Sequence, residues 1–255
     1  SDVCSSDLVS AGHDHFSMDL VRQVLSPIFA SQLEKLMGSG GVSMTDLGFR
    51  LSRFVNGVSR KHAQVSRELF HLPGIEAITN GVHSRTWTCP GFRKLFDTAI
   101  PGWDSDPSRL IQALHLPDED VWKTHQAAKM RLLARVMEDT GVELDPEMLT
   151  IGFGRRAAAY KRADMIFNDI DRLAEICSGK AQFIFSGKAH PKDQDGKQVL
   201  QRVIRASRKL APALQVVFLP NYNIETASLM TSGVDVWLNT PTRPREASGT
   251  SGMKC

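Results

Sequence analysis

Lys254 stands at the end of a loop of small residues, "EASGTSGMK", where the backbone can lie close to a ligand and an amine can reach it. A lysine that is desolvated or placed among other cations loses affinity for its proton and becomes a nucleophile toward carbonyl groups, whereas a solvated lysine stays an inert ammonium. The sequence offers cations for this purpose in "GRRAAAYKR", which contributes Arg155, Arg156 and Lys161. Taken alone, that cluster is either a solvated helix start or a phosphate site. Cations at a helix N-terminus work against the helix dipole unless an anion lies between them, and this favours phosphate. The small-residue loop leaves two readings open. Its N–H groups and the hydroxyls of Ser248, Thr250 and Ser251 suit a sugar or a phosphorylated ligand, with Glu246 accepting from sugar hydroxyls. Equally, Thr250 or Ser251 would cap a following helix. Neither GxxxxGK[ST] nor a GxGxxG after the first strand is present, which argues against nucleotide hydrolysis and ordinary dinucleotide binding.

The elements that must hold these residues follow from hydrophobic period. Apolar runs in "MLTIGF", "AQFIFS", "LQVVFL" and "VDVWLN" alternate with the amphipathic runs "MIFNDIDRLAEI", "KQVLQRVIRASRKL" and "IETASLM". Buried strands joined by crossover helices predict an α/β domain of the Rossmann-like class, a parallel sheet covered on both faces. In such sheets ligands bind beyond the carboxyl ends of the strands. Arg155, Arg156, Tyr160 and Lys161 follow the first strand, Lys188 the second, Tyr222 the third, and the Glu246–Lys254 loop comes after the fourth.

Upstream, the spacing predicts a helix over Asp118–Thr140, stopped by Gly141. It also predicts helices over Asp19–Met37 and Ser43–Phe70, so that the first third reads as helical. A stretch punctuated by Gly and Pro, "HLPG" to "IPGWDSDPS", puts a domain junction near residues 72–90.

Composition bounds the function class. The chain has 255 residues, 42% hydrophobic and 23% charged, with a net charge of +3 and interspersed signs. This is a globular composition without the basic run that nucleic acid or an anionic membrane would call for. No stretch is long and apolar enough for a membrane span, and the start lacks the pattern of a signal peptide. The 4 cysteines lie far apart with no CxxC, which fits a reducing cytoplasm better than a disulfide framework or a zinc ribbon.

Read together and in order, "FVNGVSRKHAQVSRELF", "ITNGVHSRTW", "GRRAAAYKRAD", "FSGKAHP", "VFLPNYNIETASLMTSGVDVWLNTP" and "EASGTSGMK" resemble the α-glucan (glycogen, starch or maltodextrin) phosphorylases, most closely their shorter bacterial type. The resemblance covers nearly the whole chain from about residue 10. It implies a partial two-Rossmann-domain glycosyltransferase (GT-B) fold. Residues 1–78 would be the helical end of the N-terminal domain and residues 79–255 the Rossmann-like C-terminal domain. It implies that Lys254 carries pyridoxal 5′-phosphate covalently, with Arg155, Thr250 and Ser251 at the cofactor phosphate and Trp87 and Tyr222 bordering the cofactor. Arg156 and Lys161 would hold the substrate phosphate, and Asn80, Tyr160, Glu246, Ser248 and Gly249 the glucosyl unit. The implied reaction is phosphorolysis of a terminal α-1,4-linked glucose to α-glucose 1-phosphate, with homo-oligomerisation of the intact protein left open.

The resemblance departs at both ends. The family continues past the cofactor lysine and begins well before this chain, "SDVCSSDL" matches no family text, and Cys255 replaces a small apolar residue. The expectation is an interior fragment with a foreign leader over residues 1–8, inactive by itself. Two rivals stand beside it: a nucleotide-sugar-dependent glucan synthase of the same fold, which would need no reactive lysine, and an inert binding or folding fragment. His13 and His15 in "HDH" lack a third metal ligand and read as loop. His62 reads as a packing residue, and His83 and His190 receive no catalytic role.

Overall fold

The computed structural model describes residues 2–5, 8 and 13–255. The leader expected over residues 1–8 falls in part outside them. The chain forms two compact units, one of residues 1–80 with 242–249 and the other of residues 81–241 with 250–255.

In the first unit, strand β1 is Asp2–Ser5 and β2 is His15–Phe16, followed by helices α1 (Met18–Val24) and α2 (Pro27–Met37). Next come β3 (Val42–Ser43), α3 (Met44–Leu51), β4 (Phe54–Gly57), α4 (Arg60–Phe70) and β5 (Glu76–Ala77). Strands β1, β4 and β5 form a parallel sheet in the order β1-β4-β5, and β2 pairs antiparallel with β3. Met18, Val21, Ala30 and Val42 form a small core.

Two expected helices are corrected here. The Asp19–Met37 pattern breaks at Leu25, which caps α1 with extended backbone, because Pro27 has no N–H to continue the ladder and instead opens α2. The Ser43–Phe70 pattern contains a strand, β4, between α3 and α4. Phe54 and Val55 favour extended backbone, and a Cβ on Gly57 would lie 2.9 Å from Ala63 Cα, so only glycine allows the strand to meet the next helix so closely. Ser59 then caps α4 by accepting from the His62 N–H.

The second unit opens with α5 (Ser84–Trp87), α6 (Pro90–Ala99), a 3-10 stretch Pro107–His115 and α7 (Asp118–Thr140). Helix α7 spans the range its periodicity predicts. Asp118, Glu119 and Asp120 oppose the positive end of its dipole, and Gly141 closes it at φ 70°. The sheet strands are β6 (Leu149–Gly154), β7 (Ala181–Ser186), β8 (Val216–Leu219) and β9 (Val236–Trp237). They are joined through α8 (Ile170–Cys177), α9 (Gln194–Leu210) and α10 (Ile224–Gly233), and α11 (Thr250–Lys254) follows. All four strands are parallel, in the order β8-β7-β6-β9.

Alternation along the strands sends Phe153, Phe183, Phe185 and Val216 to one face, against Val199, Val203, Ala206 and Leu210 of α9. It sends Ile184, Val217 and Leu219 to the other, against Leu132, Leu133 and Val136 of α7 and Met230 of α10. Each such fully buried side chain stabilises the fold by about 1.5–3 kcal/mol relative to its exposed state. Among the described residues no helix is long and apolar enough to cross a membrane.

Candidate functional site

The order β8-β7-β6-β9 is that of a doubly wound sheet, in which β6 is followed by strands on one side and β9 returns to the other. The strand order therefore reverses between β6 and β9, and the carboxyl edge at such a reversal is where sheets of this kind bind ligands. Arg155 is the first residue after β6, 7% exposed, and its guanidinium donates to Asn239 Oδ1 just beyond β9. Arg162 donates from Nε to Thr240 O at 2.8 Å and from Nη2 to Pro241 O at 3.2 Å, so the two loops are laced together. The Arg155 N–H donates to Ser186 O and the Ala157 N–H to Lys188 O, which joins the loop after β7 to the same edge. Lys161, 7% exposed, ends a 3-10 turn with Nζ 4.8 Å from the centre of the Tyr160 ring. Arg156, between them, is exposed.

Tyr222, after β8, donates its hydroxyl to Gly154 O at 2.9 Å. A Cβ on Gly154 would sit 3.0 Å from Trp237 and 3.1 Å from Tyr222, so both rings pack against this glycine more tightly than they would against a larger residue without shifting. Burial pushes the Tyr222 phenol up, the Arg155 guanidinium pulls against it and Cys255 adds to it, which sets all three within electrostatic reach. Lys254 lies on α11 with Nζ 3.9 Å from the centre of the Trp87 ring. Burial pushes its ammonium below the ordinary lysine range, opposed in part by Cys255. Lys254 and Trp87 border a cavity of about 450 Å³ lined also by Phe96, Trp122, His125 and Asp235. Ser251 Oγ on α11 is buried and lacks a hydrogen-bond partner. Thr250, its neighbour, opens that helix.

The remaining sequence-predicted residues belong to the first unit, gathered on the turn between β4 and α4. The Asn80 N–H donates to Val58 O at 3.0 Å, and Ser59 Oγ donates to Ala247 O at 2.6 Å. One turn thus brings Asn80 and the Glu246–Ser248 segment together, with Gly249 beside them at φ 66°. His62, 1% exposed, holds that turn: the Val58 N–H donates to Nδ1, so the ring proton is on Nε2, 3.3 Å from Ser66 Oγ.

Three of the other histidines singled out in the sequence have hydrogen-bond partners within their own unit. His83 Nδ1 accepts from the Thr86 N–H and caps α5, the helix that presents Trp87. His190 Nδ1 accepts from the Lys192 N–H, and His13 Nδ1 lies 2.8 Å from Thr45 Oγ1.

Sequence reasoning missed a buried polar network. Asp235 takes hydrogen bonds from Lys129 Nζ at 2.7 Å, His125 Nε2 at 2.7 Å and the Thr150 N–H at 2.6 Å. Although burial pushes the Asp235 carboxyl up, these donors together hold it below the ordinary carboxylate range. Lys129 and His125 are four residues apart on a helix with no other sign of a polar core, so their shared partner is visible only in three dimensions. Asn239 was missed too, although its place just after a strand marks it by the rule that singled out Arg155.

A buried arginine at the carboxyl edge of the sheet and a lysine resting on an aromatic ring beside a cavity are the groups an anion and an aldehyde would need, and comparisons with known proteins identify the family. The chain is 37% identical to a maltodextrin phosphorylase from Thermococcus litoralis, over 96% of this chain and 34% of that protein. It is 35% identical to a glycogen phosphorylase from Aquifex aeolicus, over 85% of this chain and 36% of that protein. A glycogen phosphorylase from Mycobacterium tuberculosis is 36% identical, over 83% of this chain and 28% of that protein. The chain thus spans about a third of the length of these relatives. The model of the carbohydrate phosphorylases matches residues 18–255, which takes in the second unit whole and the first from α1 onward, and this chain belongs to that family.

Proposed function

We propose that this chain contributes to an α-glucan phosphorylase that uses inorganic phosphate to release the terminal α-1,4-linked glucose of a glucan as α-glucose 1-phosphate, in the cytoplasm. In this reading residues 1–78 end the N-terminal domain of a GT-B fold and residues 79–255 begin its C-terminal domain. The observation that carries it is Lys254, whose Nζ rests on Trp87 at the rim of a cavity and whose proton is loosened by burial.

The residues present fit pyridoxal 5′-phosphate. Lys254 supplies the amine, Trp87 and Tyr222 supply flat surfaces for a ring, and the buried, unpartnered Ser251 hydroxyl has hydrogen-bonding capacity that a phosphate would use. Thr250 and Arg155 would hold that phosphate with it. Bound there, the cofactor supplies a phosphate whose second pKa, near ~6, suits proton transfer at neutral pH.

The chain's own residues would do the rest. Most glycosidases need two carboxylates at the scissile bond. Here the Asp235 carboxylate is already engaged by Lys129, His125 and the Thr150 N–H, and Glu246 would accept from sugar hydroxyls together with Asn80, Tyr160, Ser248 and Gly249. Arg156 and Lys161 would hold the inorganic phosphate, where fixed cations stabilise charge without reorganising. Closure against a complete N-terminal domain would exclude water, so the 255-residue chain by itself should release no glucose 1-phosphate.

The test is to incubate the chain with pyridoxal phosphate, reduce with borohydride and map the modified peptide by mass. A pyridoxyl group on Lys254 alone is expected. A folded chain in which Lys254 stays unmodified would refute the reading.

A further inference from the structure

Strand β9 has 2 residues, paired with β6 as Ile151↔Val236 and Gly152↔Trp237. So short a ladder specifies its register weakly, and a slip by one residue moves everything downstream by about 3.3 Å and turns each side chain to the opposite face. Yet Asn239, two residues beyond β9, must meet Arg155 beyond β6, and a hydrogen bond tolerates only a few tenths of an ångström. Something other than the ladder must fix the register.

Asp235 stands immediately before β9 and is tied to β6 twice. Its N–H donates to Thr150 O at 2.9 Å, and its carboxylate accepts the Thr150 N–H at 2.6 Å. The same carboxylate takes Lys129 Nζ and His125 Nε2 from α7. Lys129 is 1% exposed and also donates to Met148 O at 2.8 Å, so a buried ammonium with two acceptors anchors the clamp. On the far side of β9, the Leu238 N–H donates to Gly152 O at 2.8 Å and carries the register on to Asn239.

We infer that Asp235 is a positioning residue: by pinning β9 to β6 and α7 it sets Asn239, and through Asn239 it aims Arg155 at the cofactor phosphate. This rests on the reading of Arg155 as a ligand of that phosphate. The consequence is selective, because pyridoxal carries the same aldehyde without the phosphate. The chain should prefer pyridoxal phosphate over pyridoxal, and losing Asp235 should erode that preference rather than capture of the aldehyde by Lys254.

The experiment measures dissociation constants of both aldehydes by absorbance, with borohydride mapping to Lys254, and takes their ratio. Asp235→Asn should lower the ratio about tenfold, the worth of one charge-assisted contact at ~1.4 kcal/mol. Arg155→Leu should do the same, and the two together should lose no more than Arg155→Leu alone, since both act on one contact. The double variant Lys129→Met/Asp235→Asn removes the buried ammonium with the carboxylate, so neither is left uncompensated, and keeps the comparison open if the single variant melts. Asn239→Ala leaves the network intact and reads the last link by itself. An unchanged ratio in a cooperatively folded Asp235 variant or in Asn239→Ala, or losses that multiply with Arg155→Leu, would overturn the inference. If Arg155→Leu itself leaves the ratio unchanged, the phosphate role of Arg155 fails and the inference falls with it.

Discussion

Replacing Lys254 by arginine should abolish covalent capture of pyridoxal phosphate while leaving the fold intact. The two side chains share a charge and an aliphatic stem, and the Nζ now 3.9 Å from the Trp87 ring centre would be replaced by a guanidinium able to stack on the same face. That contact is worth about 0.5–1 kcal/mol at a partly exposed site, so the melting transition should shift little. What arginine lacks is a deprotonated form, because a guanidinium stays charged at any pH a protein survives, whereas the Lys254 ammonium is pushed below the lysine range by burial. Borohydride reduction followed by peptide mapping should find stoichiometric pyridoxyl at position 254 in the natural chain and only background in Lys254→Arg. Equal labelling elsewhere in the variant would show that another amine serves the site and that the Trp87 contact is incidental.

Asp235→Ala should cost about 3–5 kcal/mol of stability, the usual penalty for stripping one partner from a buried ion pair. Lys129 would keep Met148 O as its acceptor but lose its counterion at a position 1% exposed, and the Thr150 N–H would lose its side-chain acceptor. Chemical denaturation of the two proteins measures the difference. The pH dependence has a definite sign. Asp235 titrates below the ordinary carboxylate range in the folded chain, so its contribution is fully present above the unfolded value, about 3.9, and is lost as pH falls through the folded value. The natural chain should therefore lose stability on acidification more steeply than Asp235→Ala, and the two curves should converge at low pH. Curves that stay parallel down to pH ~2 would mean that the network contributes no net electrostatic stability.

The α/β core was legible in the sequence because its strands are buried on both faces and read as continuous apolar runs. "AQFIFS" became β7, with Phe183, Ile184 and Phe185 all 3% exposed or less. Helix α7 was equally plain, since Pro117, the acidic first turn and Gly141 mark both ends. The first unit was less legible, for Leu51, Phe54, Val55 and Val58 satisfy a helical period although β4 interrupts it. Periodicity counts spacing and does not register how closely Gly57 must approach Ala63.

The sequence by itself determined which residue types could act: Arg155, Arg156, Lys161, Tyr222 and Lys254 stand where strands end or where small residues cluster, and local chemistry is enough to mark them. It also determined the family, because ordered motifs survive without any structure. Only the tertiary structure decided which partners these residues meet. Asn239 reaches Arg155 across 84 residues, Asp235 reaches Lys129 across 106, and Ser59 reaches Ala247 across 188. Such pairings are fixed by the order and register in which distant elements pack, and no local pattern of side chains encodes them.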